Sequence, residues 1–358
     1  MKIGILTFHR AHNYGAVLQA YALQEVLSSM GHTVKFIDYR NNDLLEVYKI
    51  LVLRRFVTQR GAHFIKELKI LCTRFQRSNA FNRFIDNYLH IEQDFSSENL
   101  NLNYDFIFVG SDQVWNFHLT KGFDHYYWGL FKQVGSKLKI VSYAASMEVA
   151  NLSAADKNQI ELHLRNFSFL SVREDSLMDS LKPLTTKMLS VVTDPTLLLG
   201  TQLWAKIAVK PNISKPYLLL YQVRANSKNE ELAKRISKEL NLDLIFLSAR
   251  IDEKNSKVSK SASPAEYLGL FKNASFVLCS SFHGTVFSIL FKVPFYSIMM
   301  NDGKDSRSIS LLKSLDLMNR SITYEDKFIN DPIDWIQVES RLDEVKKISI
   351  EYIKESLQ

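Results

Sequence analysis

Short apolar runs alternate along the chain with longer segments of helical periodicity, and this alternation limits the possible folds more than any other feature of the sequence. It is the pattern of parallel α/β sheets rather than of β-sandwiches or helical bundles, because each helix connects one buried strand to the next. The first unit predicts strands at residues 3–6 and 34–39, joined by a helix at residues 16–30 that Gly31 stops. The sequence therefore predicts an α/β protein.

The alternation occurs in two sets, which are separated near residues 200–215. Further strands are predicted at 106–109, 140–143 and 169–172 in the first set, and at 217–221, 244–247, 276–279 and 295–298 in the second. The length of 358 residues also suits two domains of roughly 150 residues each. We predict domains at residues 1–205 and 206–335, followed by a helix at residues 336–358 that packs back on the body of the protein.

Residues from about 42 to 100 form a predicted helical insertion in the first domain, and its charge has one dominant sign. Between Arg54 and Arg83 it carries eight basic residues against the single acid Glu67. Two interpretations stay open. Charge runs are usually solvated faces of helices, whereas a basic amphipathic helix can also dock on an anionic membrane or on a pyrophosphate-linked lipid.

Composition excludes several classes of protein. No apolar run approaches the ~20 residues that a membrane-spanning helix needs, and the first eight residues lack the features of a secretory signal. We therefore expect a cytoplasmic protein, peripheral to the inner membrane face if the insertion docks there. Cys72 and Cys279 lack the spacing of a zinc site, and neither a metal nor a cofactor is predicted. The net charge of +7 suits anionic substrates, but no nucleic-acid partner is predicted.

Polar residues directly after strands are the candidate ligand sites, because ligands of open parallel sheets bind beyond the carboxyl ends of the strands. After the first strand, Asn13 and Tyr14 precede Gly15 at the start of the first helix. A free helix N-terminus suits an anion or a sugar hydroxyl, and a plain strand-to-helix turn is the alternative. The loop has no GxGxxG pattern, so no dinucleotide site is predicted.

Residues 110–116 (GSDQVWN) follow the predicted strand at 106–109. We predict that Asp112 accepts protons from sugar hydroxyls and that Trp115 and Asn116 contact the sugar, with the indole stacked on its ring. The alternatives are an Asx turn for Asp112 and core packing for Trp115.

Arg173 closes another predicted buried strand. Its guanidinium can hold a carboxylate or a phosphate through two parallel hydrogen bonds, which a lysine cannot imitate. A structural ion pair with Glu174 or Asp175 is the alternative.

Residues 279–288 (CSSFHGTVFS) place His283 between a strand and an apolar helix. A cationic histidine at a helix N-terminus is favoured only beside a bound anion, and phosphate suits that position. We expect this histidine to lie outside the core and to contribute little packing. Hydroxyl donors and a glycine that admits close backbone approach complete the predicted phosphate site: Ser280, Ser281, Thr285 and Gly284.

Six segments of the chain resemble, in the same order, segments of the polysaccharide pyruvyl transferase family. They are residues 13–23 (NYGAVLQAYAL), 110–116 (GSDQVWN), 142–146 (SYAAS), 171–174 (SVRE), 193–196 (TDPT) and 281–284 (SFHG). The resemblance extends from residue 1 to about residue 320, and the first two segments and the last are specific in combination.

The resemblance implies two Rossmann-like domains that face each other across a central cleft, as in GT-B glycosyltransferases. It implies phosphoenolpyruvate as the donor, bound on the second-domain side, and no required metal. By the same resemblance, Arg173 and His283 match positions tied to donor binding and catalysis. The chain departs from the family at Ser281, where many members have arginine, and at Glu148, where a glycine is usual.

The predicted reaction transfers a pyruvyl group from phosphoenolpyruvate to two hydroxyls of a hexose in a cell-surface polysaccharide or its lipid-linked precursor, forming a ketal and releasing phosphate. His283 is predicted to be the general acid or phosphate partner. Arg173 is predicted to hold the donor, and Asp112 to act with Asn13 on the acceptor hydroxyls.

Two alternatives to this reaction remain from the sequence. A nucleotide-sugar glycosyltransferase has the same two-domain shape, and a fold does not fix a function. An inactive binding subunit of a polysaccharide assembly complex is the other alternative, and the departures at Ser281 and Glu148 motivate it.

Overall fold

The structure is a computed structural model. The residues that it describes are 1–41, 62–92, 104–131, 138–148, 152–223, 226–249, 259, 261–301 and 305–358. For residues 62–69 only the backbone is described.

Seven parallel strands form the first sheet. They are β1 Lys2–Leu6, β2 Thr33–Ile37, β3 Ile91–Glu92, β4 Phe106–Asp112, β5 Lys139–Ala145, β6 Leu170–Val172 and β7 Leu189–Val191. Their spatial order is β3-β2-β1-β4-β5-β6-β7. This is the strand order of dinucleotide-binding folds with one strand added, and the direction of winding reverses between β1 and β4.

Five parallel strands form the second sheet. They are β8 Tyr217–Gln222, β9 Asp243–Ser248, β10 Phe276–Cys279, β11 Phe295–Ile298 and β12 Ser321–Ile322. The order β12-β11-β10-β8-β9 corresponds to the flavodoxin-like arrangement, in which winding reverses between β8 and β10. We call each sheet with its helices the first and the second domain.

Helices cover the sheets on both sides, as parallel strands require. The helices among the described residues are α1 Tyr14–Ser29, α2 Ala62–Tyr88, α3 Ala154–Leu164, α4 Asp175–Leu181, α5 Pro195–Leu198, α6 Thr201–Ile207, α7 Ser227–Glu239, α8 Pro264–Lys272, α9 Phe282–Leu290, α10 Ser306–Ser314 and α11 Trp335–Ser356. Gly31 follows α1 with a φ of 86°, the left-handed conformation in which glycine ends a helix. Ser263 and Glu266 form the capping box that begins α8. No helix among these residues is long and apolar enough to cross a membrane.

The basic insertion is described only in part. Helix α2 confirms the predicted helical insertion for residues 62–88, whereas Arg54, Arg55 and Arg60 lie outside the described residues. Arg77 does not belong to a solvated basic face: it is 4% exposed, donates from Nη1 to the backbone oxygen of Ser248 at 3.0 Å, and lies 4.7 Å from the ring centre of Tyr14. This part of α2 therefore joins the two domains.

Two further contacts connect the domains. The Tyr14 hydroxyl donates to the backbone oxygen of Ala262 at 2.8 Å, and the Tyr14 ring stacks on Tyr267 at 4.4 Å. The last helix, α11, returns to the first domain, where the Tyr352 hydroxyl donates to the backbone oxygen of Ser142 at 2.8 Å. One apolar core consequently includes residues from both domains.

Candidate functional site

The carboxyl ends of both sheets meet at one place. The loop after β1 leads into Gly15, and the loop after β10 leads into His283, which lies against Gly15. Since this contact crosses the domain interface, the two sheets face a shared cleft, and the predicted GT-B-like arrangement of two α/β domains is confirmed. Both winding reversals supply a loop to the cleft, which is where open parallel sheets bind ligands.

Position 15 must be a glycine because the His283 ring lies too close for any side chain there. A Cβ atom at Gly15 would lie 2.0 Å from Nδ1 and 2.5 Å from Cε1 of the imidazole. The histidine is 8% exposed, so the expectation that it lies outside the core is wrong. It is the second residue of α9, and the tight fit against α1 fixes the position of its ring.

We expect Gly15→Ala to displace the His283 ring, because overpacking of this size costs about 1–3 kcal/mol and a misplacement of about 1 Å can lower a rate ~100-fold. Gly200→Ala is the matched control, since a Cβ at Gly200 meets no atom within 4 Å. Thermal unfolding and turnover of both variants test this. Unchanged turnover in Gly15→Ala would show that the ring position does not matter.

Asp194 is the buried centre of the cleft. It is 1% exposed and caps α5, where Oδ1 accepts from the Thr196 hydroxyl at 2.6 Å and from the Thr196 backbone nitrogen at 3.0 Å. Oδ2 accepts from Arg173 Nη1 at 2.6 Å and lies 3.5 Å from His283 Nε2. One carboxylate therefore positions an arginine of the first domain and the histidine of the second.

The charges around Asp194 decide its ionisation. Burial by itself would raise the pKa of this carboxyl, but the charges of His283 and Arg173 and the hydrogen bonds that Asp194 accepts hold the pKa well below its usual range. The carboxylate of Asp194 is consequently ionised at neutral pH.

Arg173 follows β6 and is 5% exposed. Its closest partner is Asp194, and two further carboxylates lie at 3.7 Å: Asp112 from Nη2 and Glu174 from Nε. The guanidinium also faces the ring of Phe282 at 4.9 Å. Burial by itself would lower the pKa of Arg173, but these three carboxylates raise it. The ion pair between Arg173 and Glu174, which the sequence offered as an alternative to ligand binding, is present. The closer partner of Arg173 is Asp194.

Four buried atoms of this cluster lack a hydrogen-bond partner within the described part of the chain: Arg173 Nε, Arg173 Nη2, Glu174 Oε2 and His283 Nε2. The other oxygen of Glu174 accepts from the Ser146 hydroxyl at 2.6 Å. Burial raises the pKa of Glu174, partly offset by the charges of Arg173 and Arg307. Buried polar groups are rarely left unpaired, so these four atoms mark where a ligand would bind.

Arg307 is a second arginine of the cluster, which our sequence analysis missed. Burial of the guanidinium and repulsion from Arg173 lower its pKa, while Glu174, Asp112 and Glu148 act in the opposite direction. One turn further along α10, the Ser310 hydroxyl donates to Asp175 at 2.6 Å, and residues three apart share a helix face. Arg307 therefore approaches the Arg173 cluster from the second domain.

A model of the family described as polysaccharide pyruvyl transferase matches residues 13–302. The chain belongs to this family. The matched range includes the loops that carry Gly15, Asp112, Arg173, Asp194 and His283, and the resemblance inferred from the six motifs is confirmed. No curated protein sequence matches the chain.

Solved structures of two other kinds of protein resemble the chain at low identity. UDP-GlcNAc 2-epimerase from Methanocaldococcus jannaschii, in complex with UDP-GlcNAc and UDP, is 15% identical with a TM-score of 0.46, over 96% of this chain and 92% of that one. The glycosyltransferase SsfS6 from Streptomyces sp. SF2575, complexed with thymidine diphosphate, is 12% identical with a TM-score of 0.39, over 99% and 96%. Both TM-scores are below 0.5, so these likenesses establish no ligand for this pyruvyl transferase family member.

The residues predicted to bind the donor divide into two groups. Ser280 and Ser281 are half-buried at the start of α9, where the Ser281 hydroxyl caps the helix at 3.5 Å from the Gly284 nitrogen. Thr285 is completely buried, and its hydroxyl donates to the backbone of Ser281 and contacts the Ser297 hydroxyl. The predicted ligand contact of Thr285 is therefore wrong.

Gly284 has a packing role that the sequence did not reveal. A Cβ atom there would lie 2.8 Å from the Cβ of Cys279 and 3.0 Å from the ring of Tyr221. The missing side chain at Gly284 therefore lets the second sheet pack against α9. It does not serve to bring a ligand close to the backbone.

The residues predicted to bind the acceptor are mostly structural. Tyr14 and Trp115 are completely buried; the Trp115 ring stacks on Trp128 at 5.1 Å and its Nε1 donates to the backbone of Tyr127. No face of either ring is open to a sugar, so both predicted contacts are wrong, and core packing is the correct interpretation of Trp115.

The side chains of Asn116 and Asn13 both accept hydrogen bonds from backbone nitrogens. Asn116 is 2% exposed and its Oδ1 accepts from the His118 nitrogen, so this oxygen caps the backbone and the sugar contact of Asn116 stays a prediction. Asn13 is half-buried and caps α1, with Oδ1 accepting from the nitrogens of Gly15 and Ala16. Only its amide nitrogen is left to face a ligand.

Asp112 remains at the cleft. It ends β4 with a φ of 73°, and its Oδ1 accepts from the nitrogen of the next residue, Gln113, at 2.9 Å, whereas an Asx turn would bond the nitrogen two residues on. Its side chain is 15% exposed and approaches Arg173. Asp112 is therefore the most accessible of the three carboxylates around Arg173. No group of three metal-binding side chains occurs among the described residues.

Proposed function

We propose that the protein transfers a pyruvyl group from phosphoenolpyruvate to two hydroxyls of a hexose in a cell-surface polysaccharide or its lipid-linked precursor. The observation that carries this proposal is the buried Arg173–Asp194–His283 cluster, which both domains build and in which guanidinium and imidazole nitrogens form no hydrogen bond within the described residues. Membership of the polysaccharide pyruvyl transferase family supports the general reaction.

The cluster suits a small donor with two anionic groups. Arg173 presents Nε and Nη2, the fork that binds a carboxylate or a phosphate by parallel hydrogen bonds. Arg307 adds a second guanidinium from α10, and an anion between the two would relieve their mutual repulsion. Phosphoenolpyruvate carries a carboxylate and a phosphate, so one arginine can hold each group. Many family members have an arginine at the position of Ser281, and we propose that Arg307 on α10 supplies the second guanidinium in its place.

His283 is the proposed general acid. Its Nε2 lacks a hydrogen-bond partner among the described residues and lies 3.5 Å from Asp194 Oδ2, which holds the ring in place. Proton transfer from Nε2 to the methylene carbon of the donor produces a methyl group and an electrophilic carbon. General acid catalysis of this kind contributes roughly 10²–10⁴-fold to a rate.

The two acceptor hydroxyls complete the reaction. The first hydroxyl oxygen bonds to the electrophilic carbon, and the second displaces the phosphate, so that the products are a ketal and one phosphate. Of the two hydroxyl protons, one replaces the proton that His283 gave to the methyl group and the other leaves on the phosphate. Asp112, the accessible carboxylate, is proposed to relay these protons from the hydroxyls, with the amide of Asn13 as an orienting donor.

The partners and location follow from the acceptor. A polysaccharide precursor on a lipid carrier would require the protein to work at the inner membrane face, and the basic insertion is proposed to give it a weak electrostatic contact there. Only part of that insertion is described, so the contact is proposed from its charge alone.

Donor binding provides the test of this site. We expect Arg173→Lys and Arg307→Gln each to raise the Kd for phosphoenolpyruvate by roughly ten- to a hundredfold, because a charge-assisted hydrogen bond contributes about 1.5–3 kcal/mol. Arg165→Gln is the matched control, since Arg165 forms an exposed ion pair with Glu161. Calorimetric titration measures all three. An unchanged Kd in both cluster variants would contradict the donor site, and tight binding of a nucleotide sugar instead would favour a glycosyltransferase.

A further inference from the structure

Two buried carboxyl groups flank Arg173, and their surroundings differ. Glu174 is 2% exposed and Asp194 is 1% exposed. Asp194 accepts from Arg173 and from both the hydroxyl and the backbone nitrogen of Thr196. Glu174 accepts from the Ser146 hydroxyl at 2.6 Å, and its Oε2 has no partner within the described part of the chain. Because an ionised carboxylate offers about four acceptor sites, Glu174 is much the less satisfied of the two.

The direction of the Glu174 side chain accounts for this difference. Glu174 directly precedes helix α4, a position where side chains often accept from the helix N-terminus, but it makes no such hydrogen bond. Its Oε2 instead lies 3.7 Å from Arg173 Nε, which is too far for a hydrogen bond. Both atoms are buried and lack partners among the described residues. A carboxyl oxygen and a guanidinium nitrogen are therefore left side by side at the proposed donor site.

The two carboxyl groups favour opposite protonation states. Burial raises the pKa of Glu174, and the charge of Asp112 acts in the same direction. The charges of Arg173 and Arg307 offset part of this rise. The pKa of Asp194, by contrast, is held well below its usual range. Neighbouring titratable groups whose pKa values are pushed apart divide the acid and base roles of a site, so Glu174 is the carboxyl group suited to hold a proton.

A bound anion strengthens the preference of Glu174 for its neutral form. An anion oxygen that accepts from Arg173 Nε would lie beside Oε2 of Glu174. An ionised Oε2 repels that oxygen, whereas a protonated Oε2 donates a second hydrogen bond to it. The anion also offsets the charge of Arg173, which otherwise favours the ionised carboxylate. Anion binding and protonation of Glu174 therefore favour each other, and this coupling is reciprocal.

We propose that Glu174 is a second acid of the site, a neutral carboxyl group that hydrogen-bonds the donor phosphate and protonates it as it leaves. The leaving-group role rests on the proposed pyruvyl transfer, whereas the protonated carboxyl beside a bound anion does not. When the bond between the donor carbon and the bridging oxygen breaks, its electron pair stays on that oxygen, which takes the proton of Oε2. The proton of the second acceptor hydroxyl, relayed by Asp112, returns to Glu174. His283 and Glu174 thus deliver protons to different atoms.

Infrared difference spectroscopy at neutral pH tests the protonation directly. With phosphoenolpyruvate or inorganic phosphate bound, we expect the carbonyl band of one protonated carboxyl group in the wild-type protein and its absence from Glu174→Gln. Glu161→Gln is the matched control, since Glu161 is exposed and pairs with Arg165, and it should keep the band. Ser146→Ala removes the hydrogen bond to Glu174 and should shift the band, which assigns it even if Glu174→Gln does not fold. A wild-type complex without a protonated carboxyl band would overturn the proposal.

The pH dependence of donor binding gives a second readout. The neutral form of Glu174 favours the donor, so affinity is present below the pKa of this carboxyl in the free protein and is lost as the pH rises through it. Above that pKa, the Kd of the wild type for phosphoenolpyruvate should rise about tenfold per pH unit relative to Glu174→Gln, the effect of one linked proton. His283 and the donor phosphate titrate in both proteins, so the ratio isolates Glu174. Parallel profiles of the two proteins would overturn the proposal.

Turnover tests the leaving-group role. We expect Glu174→Gln to lower kcat roughly 10²–10⁴-fold and to accumulate an acceptor that has gained the mass of the whole donor, phosphate included. That adduct forms because His283 still protonates the methylene carbon and the first hydroxyl still adds, while the phosphate leaves slowly. Glu161→Gln should turn over as the wild type does. Near-normal kcat in Glu174→Gln would overturn the leaving-group role. A wild-type protein that shows the carboxyl band and the linked proton but transfers no pyruvyl group would overturn the proposed reaction and that role, and would support only the anion-binding acid.

Discussion

His283→Gln is expected to lower pyruvyl transfer by roughly 10²–10⁴-fold, the usual contribution of a positioned general acid. Glutamine can keep a hydrogen bond to the donor but cannot act as a proton donor to its methylene carbon. The loss should appear in kcat, while the Kd for phosphoenolpyruvate changes little, because the two arginines supply most of the donor contacts. Steady-state rates and calorimetric binding measure the two quantities separately.

Because His283 is buried against Gly15, its substitution needs a control for folding. Thermal unfolding and circular dichroism of His283→Gln should match a folded protein, and His283→Asn provides a second, smaller amide at the same place. Near-normal turnover in a folded variant would exclude the proton-transfer role.

Asp194→Asn is expected to destabilise the protein by about 3–5 kcal/mol, since removing one partner of a buried ion pair leaves the other charge uncompensated. The asparagine keeps the shape of the N-cap of α5 but loses the charge that positions Arg173 and His283. We expect a lower midpoint of denaturant unfolding and a loss of transfer even under conditions where the variant is folded.

Thr196→Val is the matched control for Asp194→Asn. It removes the 2.6 Å hydrogen bond to the other oxygen of Asp194 while the contacts to Arg173 and His283 remain. It should cost only about 1 kcal/mol and retain most of the transfer. Equal effects of the two substitutions would mean that Asp194 acts as a helix cap and not as the partner of the charged site residues.

The sequence predicted the fold well because its strands are buried on both faces. The strands at 276–279 and 295–298 were predicted with the observed bounds. The strands that were missed, β3, β7 and β12, have two or three residues each and are mostly half-buried. Such short edge strands carry no periodicity long enough to recognise.

The site was predicted only where a residue's position after a strand determines its surroundings. Arg173 and His283 meet at Asp194, as two residues that follow strands of facing sheets should. The role of Asp194 was missed although its motif was noticed, because an Asp-Pro pair reads as an ordinary helix start. Arg307 lies on α10, not after a strand, and no local pattern marks its contact with another domain.

The acceptor residues were mispredicted for a related reason. An aromatic residue after a strand has the same sequence signature whether it lines a cleft or completes a core, and Trp115 completes a core with Trp128. Buried area usually decides in favour of the core for large rings. The ion pair of Arg10 with Asp38, which follows β2, is by contrast visible only in three dimensions.

Pyruvyl transfer itself is tested most directly by incubating the purified protein with phosphoenolpyruvate and a panel of lipid-linked galactose, mannose and glucose derivatives, with phosphate release and acceptor mass followed together. The account predicts that at least one acceptor gains the mass of a pyruvyl ketal, with one phosphate released for each ketal, and that His283→Gln abolishes both signals. Phosphoenolpyruvate left unconsumed with every acceptor, while a nucleotide sugar is consumed in its place, would contradict it.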